Sequence, residues 1–169
     1  MLTKTHTPIN LATWTTAIAT IHPTNPLPLI LGSALVALVA GVPDVDNHKS
    51  KWGRRHPKTS ALLERHWEHR ESPTHWAAPP IILGTLIGYL CHLAYPTLWW
   101  IGAAIGGSWL MHLLADTLTY QGVQLFKPFT NKIIRPRYGH RIQCGGKAET
   151  VIRYLSYGWL IGSSALALL

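Results

Sequence analysis

All three aspartates of this 169-residue chain, Asp44, Asp46 and Asp116, fall at the edges of long uncharged stretches, and several histidines fall there too. His6 precedes the first stretch, His69 and His75 precede the third, and His112 stands four residues before Asp116 near the end of the fourth. Imidazole nitrogen and carboxylate oxygen together suit a divalent ion: zinc first, with manganese and iron also compatible. His112 and Asp116 at i,i+4 share one helix face. Asp44 and Asp46 alternate across Val45, so an extended backbone would point both carboxylates one way, to chelate one ion or to reach two. A pair of ions a few Å apart can activate water and hold both oxygens of a phosphoester displacement. Arg70 lies between His69 and His75, and its planar fork matches an anionic group. Glu71 beside it is placed to shuttle protons.

The elements that must position these groups are membrane helices. Residues 76–95 and 97–118 are each about the 20 residues that cross a bilayer, separated by Pro96 in a tight hairpin. Residues 150–169 form a third span, 27–42 a shorter and uniformly apolar one, and 8–21 the weakest. The expected fold is a single all-α membrane domain over 1–169 with four or five transmembrane helices. Loop 43–75 carries seven Lys/Arg and loop 119–149 carries six, while the turns at 22–26 and at Pro96 carry none. Positive-inside reasoning puts both loops in the cytoplasm, the N-terminus inside and the C-terminus outside. Trp99 and Trp100 then belong to the outer aromatic belt and Trp76 to the inner one.

Helix punctuation refines this placement. Thr7-Pro8 reads as N-cap plus first-turn proline, leaving His6 just ahead of the first helix. Pro43 follows the second apolar run, so Asp44 and Asp46 come just past its end. Ser72-Pro73 is a second cap-plus-proline pair that puts Thr74 and His75 in the first turn of the third helix. Residues 59–70 predict an interfacial helix with Leu62, His66 and His69 on one side. All these ends meet at the cytoplasmic face.

The formal charge of +8 does not indicate nucleic acid, because the basic residues flank apolar stretches instead of forming a patch on a soluble fold. The basic run Lys127, Lys132, Arg135, Arg137, Arg141 and Lys147 reads first as topogenic, and Arg135, Arg137 and Arg141 would also form a cationic rim for anionic lipid head groups. Cys91 and Cys144 have no CxxC spacing and give neither a disulfide framework nor a thiolate zinc site. Gly102, Gly106 and Gly107 permit close helix packing, within the chain or in a homodimer. His48 and His66 are near enough to join the metal site. His22, His56, His92 and His140 read as bystanders.

The runs Pro-Asp-Val-Asp-Asn-His (43–48), His-Arg-Glu-Ser-Pro-Thr-His (69–75), His-Leu-Leu-Ala-Asp (112–116) and Thr-Tyr-Gln-Gly-Val-Gln-Leu-Phe-Lys-Pro-Phe (119–129) resemble the YdjM-like family of bacterial inner-membrane proteins. Members are described as membrane-bound, metal-dependent hydrolases. The resemblance implies that Asp44, Asp46, His69, His75, His112 and Asp116 are metal ligands, together with His6. Glu71 departs from the family pattern, which has a small residue after His-Arg.

The reading is therefore a metal-dependent hydrolase at the cytoplasmic membrane interface. It would act on a phosphoester or lipid head group through a metal-activated water, with Arg70 and Glu71 as catalytic residues and one or two ions. The rival is a metal-binding membrane protein without catalysis: a sensor, assembly factor or transporter subunit. A transporter would place ionisable residues near mid-membrane, and the middle of these spans holds almost none.

Overall fold

The computed structural model describes residues 1–23, 25–137 and 141–168. Thr24 of the 22–26 turn, the loop histidine His140 and the terminal Leu169 of the last expected span lie outside the described residues. Among those described, the chain is helical: α1 (Thr3–Ile21), α2 (Leu27–Val39), α3 (Lys51–Arg55), α4 (Pro57–His66), α5 (Ala78–Ala94), α6 (Trp100–Thr117) and α7 (Lys147–Ala167). Short 3-10 turns form at Val42–Asp46, Pro73–His75 and Pro96–Leu98. No strand forms among the described residues, and two isolated bridges, Thr119 with Ile142 and Val123 with Ile134, order the segment between α6 and α7.

Leu27–Asp46 and Pro96–Thr117, at 20 and 22 residues, are long and apolar enough to cross a membrane, and Ala78–Ala94 is apolar but shorter. The long helices are apolar outside and polar within. Ile30, Leu38, Ile82, Leu93, Leu155 and Ile161 are exposed, whereas Asn10, Thr15, Ser108, Ser156 and Ser163 are buried. That inversion suits hydrocarbon, which solvates Leu and Ile but not an amide or hydroxyl. Apart from Ser156, which bonds to the Ile152 carbonyl of its own helix, these buried groups bond between helices. Asn10 Nδ2 donates to the Ser108 carbonyl at 2.7 Å, and Ser108 Oγ donates to the Val36 carbonyl at 2.9 Å. Thr15 and Ser163 hydroxyls meet at 2.5 Å between α1 and α7.

Glycines let α5 and α6 approach. A Cβ on Gly102 would run into the backbone of Gly84 and Gly88, and one on Gly106 would meet Pro80 O at 2.7 Å and Gly84 Cα at 2.9 Å. Two of the three glycines singled out in the sequence therefore pack within the chain. Gly107 has nothing within 4 Å of its would-be Cβ.

Several expected boundaries are corrected. The first helix starts at Thr3 because the Leu2 carbonyl accepts from the Thr5 and His6 N–H groups at 2.8 and 3.2 Å. Pro8 thus lies inside α1, forgoing one helix bond, and His6 sits within the helix. Asp44 and Asp46 lie on a 3-10 turn instead of an extended segment. The interfacial helix ends at His66, where Trp67 turns to extended backbone, so His69 arrives on a loop. Ser72-Pro73 opens a separate 3-10 turn, and α5 begins only at Ala78. The break between them is held by Trp76 Nε1 donating to the Glu71 carbonyl at 2.9 Å and Ala77 N–H donating to the Leu125 carbonyl at 2.8 Å. Trp99 is half exposed, but Trp100 is buried and packs inward, so it does not belong to an outer belt.

The connectivity brings five helix ends to one level: the start of α1, the end of α2, the approach to α5, the end of α6 and the start of α7. At that level Leu113, Val123 and Leu125 form a small apolar core, and Glu149 of α7 accepts from the Leu2 N–H at 2.6 Å. Replacing Gly102 by Leu should force α5 from α6 and destabilise the bundle by about 1–3 kcal/mol, the usual scale of overpacking. Gly107→Leu should leave the melting temperature of the detergent-purified protein nearly unchanged.

Candidate metal centre

His112 is buried at the end of α6, and its Nδ1 lies 2.7 Å from the Ala40 carbonyl. A carbonyl only accepts, so Nδ1 carries a proton, and in the neutral ring Nε2 presents a bare lone pair. That nitrogen lies 3.5 Å from Asp44 Oδ1 and 3.6 Å from Asp116 Oδ2. His75 is treated alike: its Nδ1 is 3.0 Å from Asp46 Oδ2, and its Nε2 is 3.9 Å from Asp116 Oδ2. Burial lowers the His75 pKa, which favours the neutral ring that a metal requires. Among the described residues, His75 Nε2, His112 Nε2 and Asp116 Oδ2 are buried and have no hydrogen-bond partner. Two groups of side chains can hold a divalent ion: Asp44, His75, His112 and Asp116, all buried, and Asp46, His69 and His75.

Asp46 accepts from several donors. His69 Nδ1 is 2.8 Å from Oδ1, while Ser72 Oγ and the Arg70 N–H donate to Oδ2 at 2.7 and 3.1 Å. Arg70 takes a left-handed φ of 70° to make that backbone contact, a conformation costing roughly 1–3 kcal/mol away from glycine. Its side chain turns inward, with Nη1 donating to Thr119 Oγ1 at 2.6 Å and Nη2 to Asp116 Oδ1 at 3.2 Å. The open anion anchor expected at Arg70 is instead a buried counter-charge to Asp116.

His6 joins neither group of ligand atoms. Its ring stacks on that of His112, centroids 3.7 Å apart, and its Nε2 lies 3.2 Å from both the Met1 carbonyl and Asp116 Oδ1. The Met1 amino group also contacts Asp116 Oδ1. Glu71 stands outside the buried cluster, paired with Lys127 at 3.1 Å. A cleft of about 300 Å³ beside the cluster is lined by His69, Arg70, Glu71, Gln124 and Arg135, among others. Arg135 and Arg137 are exposed, and Arg141 Nε donates to the Pro136 carbonyl at 3.1 Å.

His48 and His66 are not brought to the centre. His48 Nδ1 pairs with Glu64 at 2.7 Å, and His66 packs edge-on to Trp67. His22 caps the far end of α1, His56 stacks on Trp52, and His92 faces the Pro96 carbonyl. Sequence reasoning missed Ser72, Thr119 and the Ala40 carbonyl. From the sequence Ser72 reads as a helix cap. Nothing in the spacing singles out a backbone carbonyl at a helix C-cap.

A helical membrane protein with a buried His/Asp cluster at one end of its bundle is the class that fold and site define. The family model for the YdjM inner membrane protein matches residues 1–164, and the chain belongs to that family. No curated protein and no solved structure matches it.

Removing Arg70 would leave the Asp116 carboxylate short of a buried partner, a loss worth about 3–5 kcal/mol in such pairs. Arg70→Met should therefore lower the thermal stability of the purified protein strongly. Arg70→Lys should recover only part of it, since an ammonium cannot replace the fork that holds Thr119 and Asp116 together.

Proposed function

We propose that the protein is a membrane-bound, metal-dependent hydrolase acting at the cytoplasmic face of the bacterial inner membrane on a phosphoester or lipid head group. One observation carries this reading: two imidazole lone pairs and a carboxylate oxygen converge, buried and without donors, at separations of 3.6 to 3.9 Å. Those gaps exceed a hydrogen bond. They suit ligands around a small ion, which stand about 3.4 Å apart at tetrahedral corners when each bond is near 2.1 Å. Zinc fits the mixed nitrogen and oxygen donors best, with manganese or iron as alternatives. A divalent ion there would lower the pKa of water and polarise a phosphoryl oxygen.

The chain's own groups supply the rest. Ala40 and Asp46 fix the two ring tautomers, and Arg70 compensates Asp116. His69, Glu71 and Arg135 border the approach, where Glu71 and Lys127 can pass a proton to solvent. Arg135, Arg137 and Arg141 would draw anionic head groups, each worth about 1 kcal/mol near a charged leaflet. The excess of Lys/Arg in both polar segments supports a cytoplasmic site, an internal N-terminus and an external C-terminus.

The almost complete burial of the cluster favours a second reading, a metal holder without turnover, because structural sites are closed and catalytic ones keep a position open. Purified, zinc-loaded protein tested on a panel of phosphoesters and lipids separates the two. Hydrolysis that falls to background in Asp44→Ala and His112→Ala, with loss of the ion in both, is the expected result. A loaded protein that turns over no member of the panel returns the holder. Reporter fusions at the two termini check the orientation, and an external N-terminus would reverse it.

A further inference from the structure

The two groups that share His75 differ in how their atoms are spaced and satisfied. Asp44, His112 and Asp116 stand 3.5 to 3.9 Å from one another or from His75 Nε2, and three of the facing atoms lack any donor among the described residues. Around Asp46 the separations are shorter: His69, Ser72 and the Arg70 N–H make hydrogen bonds of 2.7 to 3.1 Å, and His75 Nδ1, which also lies 3.2 Å from Thr74 Oγ1, is an ion-pair contact at 3.0 Å. An ionised carboxylate has about four acceptor sites. The two rings, the Ser72 hydroxyl and the Arg70 N–H fill them, in a residue only 1% exposed.

We infer that a single divalent ion is held by Asp44, His75, His112 and Asp116, and that Asp46 is a positioning residue outside its ligand set. The inference rests on the metal-binding reading above and narrows it. Asp46 accepts the Nδ1–H of His75, which turns Nε2 toward the ion and raises its basicity. A second ion between Asp46, His69 and His75 would need the His75 Nδ1 proton removed and the contacts of both rings with Asp46 given up. Accepting from His69 Nδ1 in the same way, Asp46 holds that ring at the cleft, where its side chain is 30% exposed. His69 is therefore also outside the ligand set.

The test is elemental analysis of the full chain in detergent after equilibration with zinc, together with zinc affinity measured against a competing chelator. Wild type should bind a single ion. Asp46→Asn should keep that stoichiometry while its affinity falls about 10–100-fold, the usual effect of losing such a partner. Ser72→Ala should shift affinity the same way by less, and His69→Ala should retain the ion. His112→Ala and Asp116→Asn should lose it. Two ions per wild-type chain, or an ion lost in His69→Ala, would overturn the assignment yet leave metal binding standing. A wild-type chain that takes up no zinc, manganese or iron would overturn both. Where Asp46→Asn does not fold, wild-type stoichiometry and the His69→Ala and Ser72→Ala proteins decide the matter.

Discussion

The Asp116 carboxylate has no exposure to solvent, and the site end of the bundle is organised around compensating it. A carboxylate taken out of water is costly unless charges and donors meet it. Arg70 reaches it from the loop before α5, His6 and the Met1 amino group from the start of α1, and His112 from one turn earlier in α6. Each approach constrains an element. The left-handed backbone at Arg70, the early start of α1 and the tight exit from α2 all follow from bringing partners to that one carboxylate and its neighbours.

Compensation is nevertheless incomplete, and the shortfall has a pattern. Oδ1 of Asp116 is crowded with donors, whereas Oδ2 faces two imidazole nitrogens whose protons are committed elsewhere. Lone pairs turned toward each other in a buried space repel unless a cation lies between them. Elsewhere between the helices, the Thr15 and Ser163 hydroxyls meet each other and the Ser108 hydroxyl meets the Val36 carbonyl. A divalent ion held among Asp44, His75, His112 and Asp116 would meet the atoms that are left without partners at this end.

Asp44 and Asp46 illustrate what spacing could and could not convey. Both sit past the second apolar run, as the proline at 43 required, and both reach the cluster. Their two-residue separation suggested carboxylates pointing the same way. On the 3-10 turn they diverge, Asp44 toward His112 and Asp46 toward His69 and His75. Arg70 offers a similar lesson: its type announced an anion partner, and that partner proved to be Asp116 within the same chain. A sequence does not distinguish an internal carboxylate from a ligand's phosphate, because guanidinium chemistry is the same for both.

The sequence by itself determined the helical class, the apolar segments, and the gathering of His69, His75, His112 and the three aspartates at one level. These follow from hydrophobic run length, proline punctuation and i,i+4 spacing, all local and written in residue order. Tertiary structure alone decided which ring nitrogen is free, which carboxylate is filled with donors, and that His48 and His66 stay away. Those outcomes depend on contacts such as Ala40 with His112 and Asp46 with Ser72, between segments joined only by folding. A hydrogen bond fixes a tautomer through a few tenths of an ångström, and no periodicity in the chain encodes that distance.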